Sequence, residues 1–83
     1  MQRDRLSLLD WTMSFGNQGV ALMLIADRNN DSAKAETATK QIEAAYETAR
    51  SAGQEPLAAY FQAQLTEAQT IRDRLKVSED GIP

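Results

Sequence analysis

The chain has 83 residues, a formal charge of -3, no cysteine and no histidine, with a pI near 4.8. The acidic balance and nine scattered Lys and Arg disfavour nucleic acid and anionic membranes, which are bound by clustered cations, and the lack of cysteine excludes disulfides and thiolate metal sites. Lack of histidine removes the commonest general base, the Ser-His-Asp triad and most zinc sites, and a chain this short is one domain or a piece of one, burying only roughly 60% of its unfolded surface.

Residues 1–6 read as a polar lead-in. Ser7 then has the character of an N-cap, because Ser7-Leu8-Leu9-Asp10 has the spacing of a capping box and Asp10 suits the positive end of a helix dipole. The predicted first helix covers 7–28. At 100° per residue it places Leu8, Trp11, Phe15, Leu22, Met23 and Ala26 on one face and Leu9, Met13, Val20 and Leu24 on a second beside it. Asp10, Ser14, Asn17, Gln18 and Ala21 are left for water. A helix apolar over so much of its circumference is normally buried on several sides, so it expects more neighbours than one. The Trp11 and Phe15 face is expected to be core; the second face is divided between an external partner and cover by the third helix.

Arg28 to Ser32 is a polar turn whose residues tolerate left-handed backbone and cap a following helix. Asp27, Asn29 and Asp31 match the first three ligand positions of a calcium loop, but Ser32 and Ala38 stand where that loop needs Gly and Glu. An interhelical turn and no metal is the expectation. The second helix, 32–53, carries a stripe of Ala35, Ala38, Ile42, Ala45, Tyr46, Ala49 and Ala52. Its small side chains allow close approach to the first helix, where Gly16 and Gly19 offer a matching lack of bulk. Glu36 with Lys40 and Glu47 with Arg50 are spaced for weak same-face ion pairs. Gly53 should end this helix in the left-handed region, and Pro56 should open the third, 55–76.

On the third helix Leu57, Tyr60, Phe61, Leu65, Ala68, Ile71 and Leu75 form the apolar stripe. Gln64 interrupts the stripe and needs a hydrogen-bond partner if buried. Arg72, Arg74 and Lys76 are placed to complement the helix C-terminus. The tail, 77–83, reads as disordered. The predicted fold is therefore all-α, a three-helix antiparallel array.

The catalytic inventory is nearly empty. Gly16 and Gly19 lie inside a helical pattern, away from any strand-to-helix phosphate loop, and the acidic pair Glu43 and Glu47 sits on a solvated face. No enzyme activity and no cofactor are expected. Asp10, Asn17 and Gln18 interrupt the apolar run that a signal peptide or a spanning helix requires, so a soluble cytoplasmic chain without a membrane partner is the expectation.

An offset of 48 residues sets Leu9 on Leu57 and Met13 on Phe61, a faint internal repeat. Leu9-Asp10-Trp11 followed by Asn17-Gln18-Gly19-Val20-Ala21-Leu22 resembles the start of a repeat in the long-period bacterial relatives of the tetratricopeptide repeat. Such repeats are helical hairpins that stack into a superhelix and bind partners. Gly19 takes the helix-contact glycine, Phe15 the tryptophan place, Gln18 the leucine, Leu22 the tyrosine, Ile42 the alanine, Tyr46 the phenylalanine and Pro56 the closing proline. Gln18 and Ile42 depart from the pattern, and the stretch between Gly19 and Ile42 is about ten residues longer than a 34-residue repeat allows. The resemblance implies one helical hairpin plus a terminal capping helix, spanning Leu8 to about Leu75.

It also implies a concave groove to which the first helix contributes Met13, Gly16, Asn17, Val20 and Leu24, with Leu9 at the edge, as the partner-binding residues. Gly16 and Val20 stand where some members carry the residues that clamp a C-terminal carboxylate. The function expected is a non-catalytic protein–protein interaction module, bound to a protein or peptide or to itself as a homodimer through Met13, Val20 and Leu24. The alternative is a purely structural three-helix unit, or the terminal cap of a larger repeat protein, in which the third helix covers that second stripe.

Overall fold

The computed structural model describes residues 2–80, and the side chains of residues 8–78. Three helices follow one another, α1 (Gln2–Asn29), α2 (Ser32–Ser51) and α3 (Glu55–Asp80), with no strand among the described residues. This is the expected all-α, three-helix antiparallel array.

The ends differ from expectation. α1 starts at Gln2, so Ser7 lies inside the helix and 2–6 is not a separate lead-in; residue 1 and the Ser7 side chain are outside those described. Gln2 to Leu6 contain no glycine or proline to stop a helix from growing back through them. Likewise α3 continues through Val77 to Asp80, where a disordered tail was predicted, and only residues 81–83 of that tail lie outside the description. Arg72, Arg74 and Lys76 are consequently not in the last turn of α3, which holds no basic residue.

The two connections are short because each is closed by the backbone. At the end of α1, Asn30 adopts φ 54°, and the N–H groups of Asn30 and Asp31 donate to the carbonyls of Asp27 (3.4 Å) and Ala26 (3.0 Å). The same paired pattern ends α2: Gly53 sits at φ 74°, its N–H donates to the Arg50 carbonyl (3.1 Å) and that of Gln54 to the Ala49 carbonyl (2.9 Å). Both are left-handed caps that satisfy otherwise orphaned carbonyls. Asp31 then opens α2 as its N-cap, its Oδ1 accepting from the Lys34 N–H at 3.0 Å. The expected roles of this polar turn and of Gly53 are both met.

α2 is central. It packs along its length against α1 and α3, which meet each other more sparsely, in a rod whose Cα atoms span 57 × 17 × 14 Å. Its buried stripe is Ala35, Ala38, Thr39, Ile42, Ala45 and Ala49, close to the predicted one; Tyr46 is only half-buried and Ala52 is exposed. Thr39 was not foreseen. Its hydroxyl donates to the Ala35 carbonyl (2.8 Å) and lies 3.4 Å from the Ala68 carbonyl of α3, so a polar side chain is accommodated without a penalty. From α3 the core receives Phe61, Ala68, Ile71 and Leu75, with Leu57 and Leu65 packed at its margin. Tyr60 stays exposed, edge-on to Phe61.

On α1 the buried residues are Thr12, Gly16, Gly19, Met23 and Ala26, spaced alternately by four and three. This seam keeps Met23 and Ala26 of the predicted core face but leaves out Trp11 and Leu8, which are about half exposed. The physical reason is proximity. A methyl built on Gly16 would overlap ring carbons of Phe61 and come within 2.9 Å of the Ala45 methyl, and one on Gly19 would reach 2.9 Å from Ile42 Cγ1. A ridge of large side chains cannot occupy a seam this narrow, so the small residues take it and the bulky ones are turned to either side.

Two outcomes are expected from this packing. Gly16→Ala should destabilise the fold by about 2 kcal/mol in urea denaturation, because overpacking against a fully buried ring exceeds the ~1 kcal/mol that alanine gains in a helix; Ala45→Leu should act in the same direction. Asp31→Ala should cost about 1 kcal/mol through the lost cap, and Gly53→Ala about 1–2 kcal/mol. The Gly53 cost is purely conformational, since nothing lies within 4 Å of a methyl at that position, and Gly53→Asn should recover much of it.

Candidate interaction surface

From Trp11 to Ala26, α1 carries no ionisable side chain. α2 and α3 together cover the seam, leaving two flanks of the helix to be accounted for. Which flank faces which neighbour is fixed by three contacts. Gly16 touches Phe61 of α3, Asp27 pairs with Arg74 of α3, and the Phe15 carbonyl accepts from the Gln41 side chain of α2 at 2.8 Å. Helical spacing then places Leu9, Met13, Asn17, Val20 and Leu24 on the α3 side, and Trp11, Phe15, Gln18, Leu22 and Ile25 on the side away from α3.

The α3-side flank contains the residues expected to bind a partner. Met13 is 44% exposed and Leu24 51%, Asn17 is exposed, and Leu9 and Val20 are half-buried, with Val20 resting on the core. α3 therefore covers this stripe in part and leaves its outer edge open. Gly16 does not belong with them. It is buried between Phe61 and Ala45, so its contribution is to let α3 approach, and it presents nothing to a partner.

Of the face expected to be core, Met23 and Ala26 are buried and Leu22 packs against the core, but its aromatic end lies at the surface, beside Ile25, which belongs to neither predicted face. Trp11 is 48% exposed and Ile25 44%, with Phe15 and Leu22 half-buried between them. The Trp11 and Phe15 rings stack with centroids 4.8 Å apart and planes inclined by 11°. Spacing alone ranked this aromatic end as core because it holds the largest side chains. The signal that it is not is the pair Gly16 and Gly19, which mark where the helix backbone comes closest to a neighbour.

Charges lie at the margins of these flanks. Asp27 and Arg74 close one end of the α1–α3 side, and Lys34 lies 4.0 Å from Asp31 at the start of α2. Arg50 and Glu47 pair at 3.8 Å on an exposed part of α2, as their spacing predicts, and such surface pairs contribute ~0–1 kcal/mol each. Between Ser32, Ala33 and Glu36 of α2 and Arg72, Asp73 and Lys76 of α3 lies a surface depression with charges of both signs. Among the described residues no cluster of three or more acidic side chains could hold a metal ion. No described helix is long and apolar enough to cross a membrane.

In comparisons with known proteins, no protein-family model, no curated protein and no solved structure matches this chain.

Proposed function

We propose that this chain is a non-catalytic, cytoplasmic protein–protein interaction module of tetratricopeptide-like type. One observation carries the reading: Trp11, Met13, Leu24 and Ile25, all on a charge-free stretch of one helix, remain about half exposed. Each flank thus presents its own exposed apolar stripe, two residues on either side of the helix, and exposed apolar patches mark sites of association. The parallel course of α1 and α3 on the same side of α2 suits the resemblance to stacked helical hairpins, in which successive first helices share one face.

The ligand we assign to the α3-side flank is an amphipathic helical segment of a protein or peptide. Leu9, Met13, Val20 and Leu24 offer apolar ground at helical spacing, matching a helix that docks through anchors three, four and seven residues apart. Asn17, exposed in the middle of the stripe, supplies both a donor and an acceptor that can fix the register of the incoming helix. The purely structural alternative has less support, since α3 leaves Met13 and Leu24 open.

Titration of the isotopically labelled chain with a panel of amphipathic helical peptides, followed by NMR, tests this proposal. Resonances of Met13, Asn17 and Leu24 should shift with at least one member of the panel. Leu24→Asp should weaken that complex by at least about tenfold, as for an anchor residue, with unchanged helical circular dichroism. If no amphipathic peptide perturbs these resonances at millimolar concentration, the proposal fails.

A further inference from the structure

We infer that the Trp11 flank of α1 is a self-association face, on which two copies of the chain pack α1 against α1 about a two-fold axis beside Gln18. The inference rests on the reading of the chain as an interaction module and names the partner at one of its faces. It also moves the expected homodimer contact from Met13, Val20 and Leu24 to the other side of the helix.

The spacing along this flank is self-complementary. Trp11 and Phe15 lie seven and three residues before Gln18, and Leu22 and Ile25 lie four and seven after it. In an antiparallel pair centred there, Trp11 of one copy meets Ile25 of the other, and Phe15 meets Leu22. The two Gln18 amides then face each other, each with donors and an acceptor to exchange. A two-fold interface requires a surface that complements itself. Here the aromatic half of one copy covers the aliphatic half of its mate over about 21 Å of helix, and neither Trp11 has to share a position with its own symmetry copy.

Charge selects the same flank. Each chain carries -3, so two copies repel unless the surfaces they join are neutral. Helical spacing continues this flank onto α2 through Thr37, Gln41, Ala44 and Thr48, none of them ionisable; Lys34, at its end, sits beside Asp31. The opposite flank runs into Asp27 and Arg74. Interface cores are depleted in charge and enriched in aromatic residues, and like charges placed across an interface are strongly unfavourable. The stacked Trp11 and Phe15 rings are also already ordered, which lowers the entropic cost of docking.

Area sets the strength. The large side chains and the α2 edge present on the order of 500 Å² per copy, and about 1,000 Å² in total is the low end for specific association. An interface at that low end suits a weak, reversible dimer, and a Kd of about 10–100 µM is the range to test.

Sedimentation velocity across about 5 µM to 1 mM, spanning that Kd, tests the inference on the wild-type chain and on variants at exposed positions. Wild type should pass from monomer to dimer. Ile25→Glu should raise Kd at least about 30-fold, as expected for an unpaired charge buried at an interface, while Leu24→Glu on the other flank should leave it within about threefold. Gln18→Glu and Gln18→Lys should each be monomeric, and their equimolar mixture should dimerise again, because the axis places position 18 against its own copy. Wild type that remains monomeric at 1 mM overturns the inference, as does a dimer that survives Ile25→Glu but is lost in Leu24→Glu, or Gln18 variants that are not rescued by mixing. Each of these leaves peptide docking on the Met13 and Leu24 flank to be decided by its own titration.

Discussion

Close approach of α1 to its neighbours at Gly16 and Gly19 is the constraint on which the rest of the structure depends. Phe61 of α3, fully buried, sits over Gly16 while the Ala45 methyl of α2 closes on the same point, and Ile42 fills the space beside Gly19. All three helices therefore meet at a place where α1 offers no side chain. α2 reciprocates with alanine at most of its buried positions. The result is a thin rod whose α1 seam is closed by small residues and the Phe61 ring, while Met23, Ile42, Ile71 and Leu75 supply the remaining buried bulk.

That economy of bulk at the seam determines what happens at the surface. α1 brings Leu8, Trp11, Met13, Leu24 and Ile25 into the fold, and the seam has no room for them, so they are displaced to its flanks and stay exposed. Among the described side chains of α1, Met23 alone of the large ones is fully buried. A helix that satisfies its intramolecular neighbours with glycine, threonine and alanine keeps its apolar side chains available for other molecules. Packing and proposed function are thus two consequences of one arrangement of residues.

Much of this was legible in the sequence, for identifiable reasons. The alanine stripe of α2, the left-handed role of Gly53 and the capping role of the polar turn around Asp31 are local signals, and local signals do not depend on knowing the neighbour. The helix ends were less legible: Ser7 looks like a cap, yet nothing before it stops a helix, and 77–80 has enough helical character to continue α3. Most consequential was the face of α1. Helical spacing finds an apolar stripe but ranks candidate core faces by bulk, and bulk pointed to Trp11 and Phe15. The N-terminal part of the buried seam consists of two glycines and a threonine, whose hydroxyl is satisfied by the Leu8 carbonyl of its own helix at 2.7 Å, so a count of hydrophobic residues finds only its Met23 and Ala26 end. The resemblance to helical repeats places Gly16 in a binding groove, whereas its lack of bulk, legible in the sequence, makes it the point of closest packing.

The most direct measurement is the solvent exposure of the chain's single tryptophan, read by fluorescence emission and acrylamide quenching in dilute solution. Because the seam turns Trp11 outward, its emission should be red-shifted and readily quenched at low micromolar concentration, in a chain that is fully helical by circular dichroism. A blue-shifted, quench-resistant Trp11 in a dilute monomer would place it in the core and contradict the account.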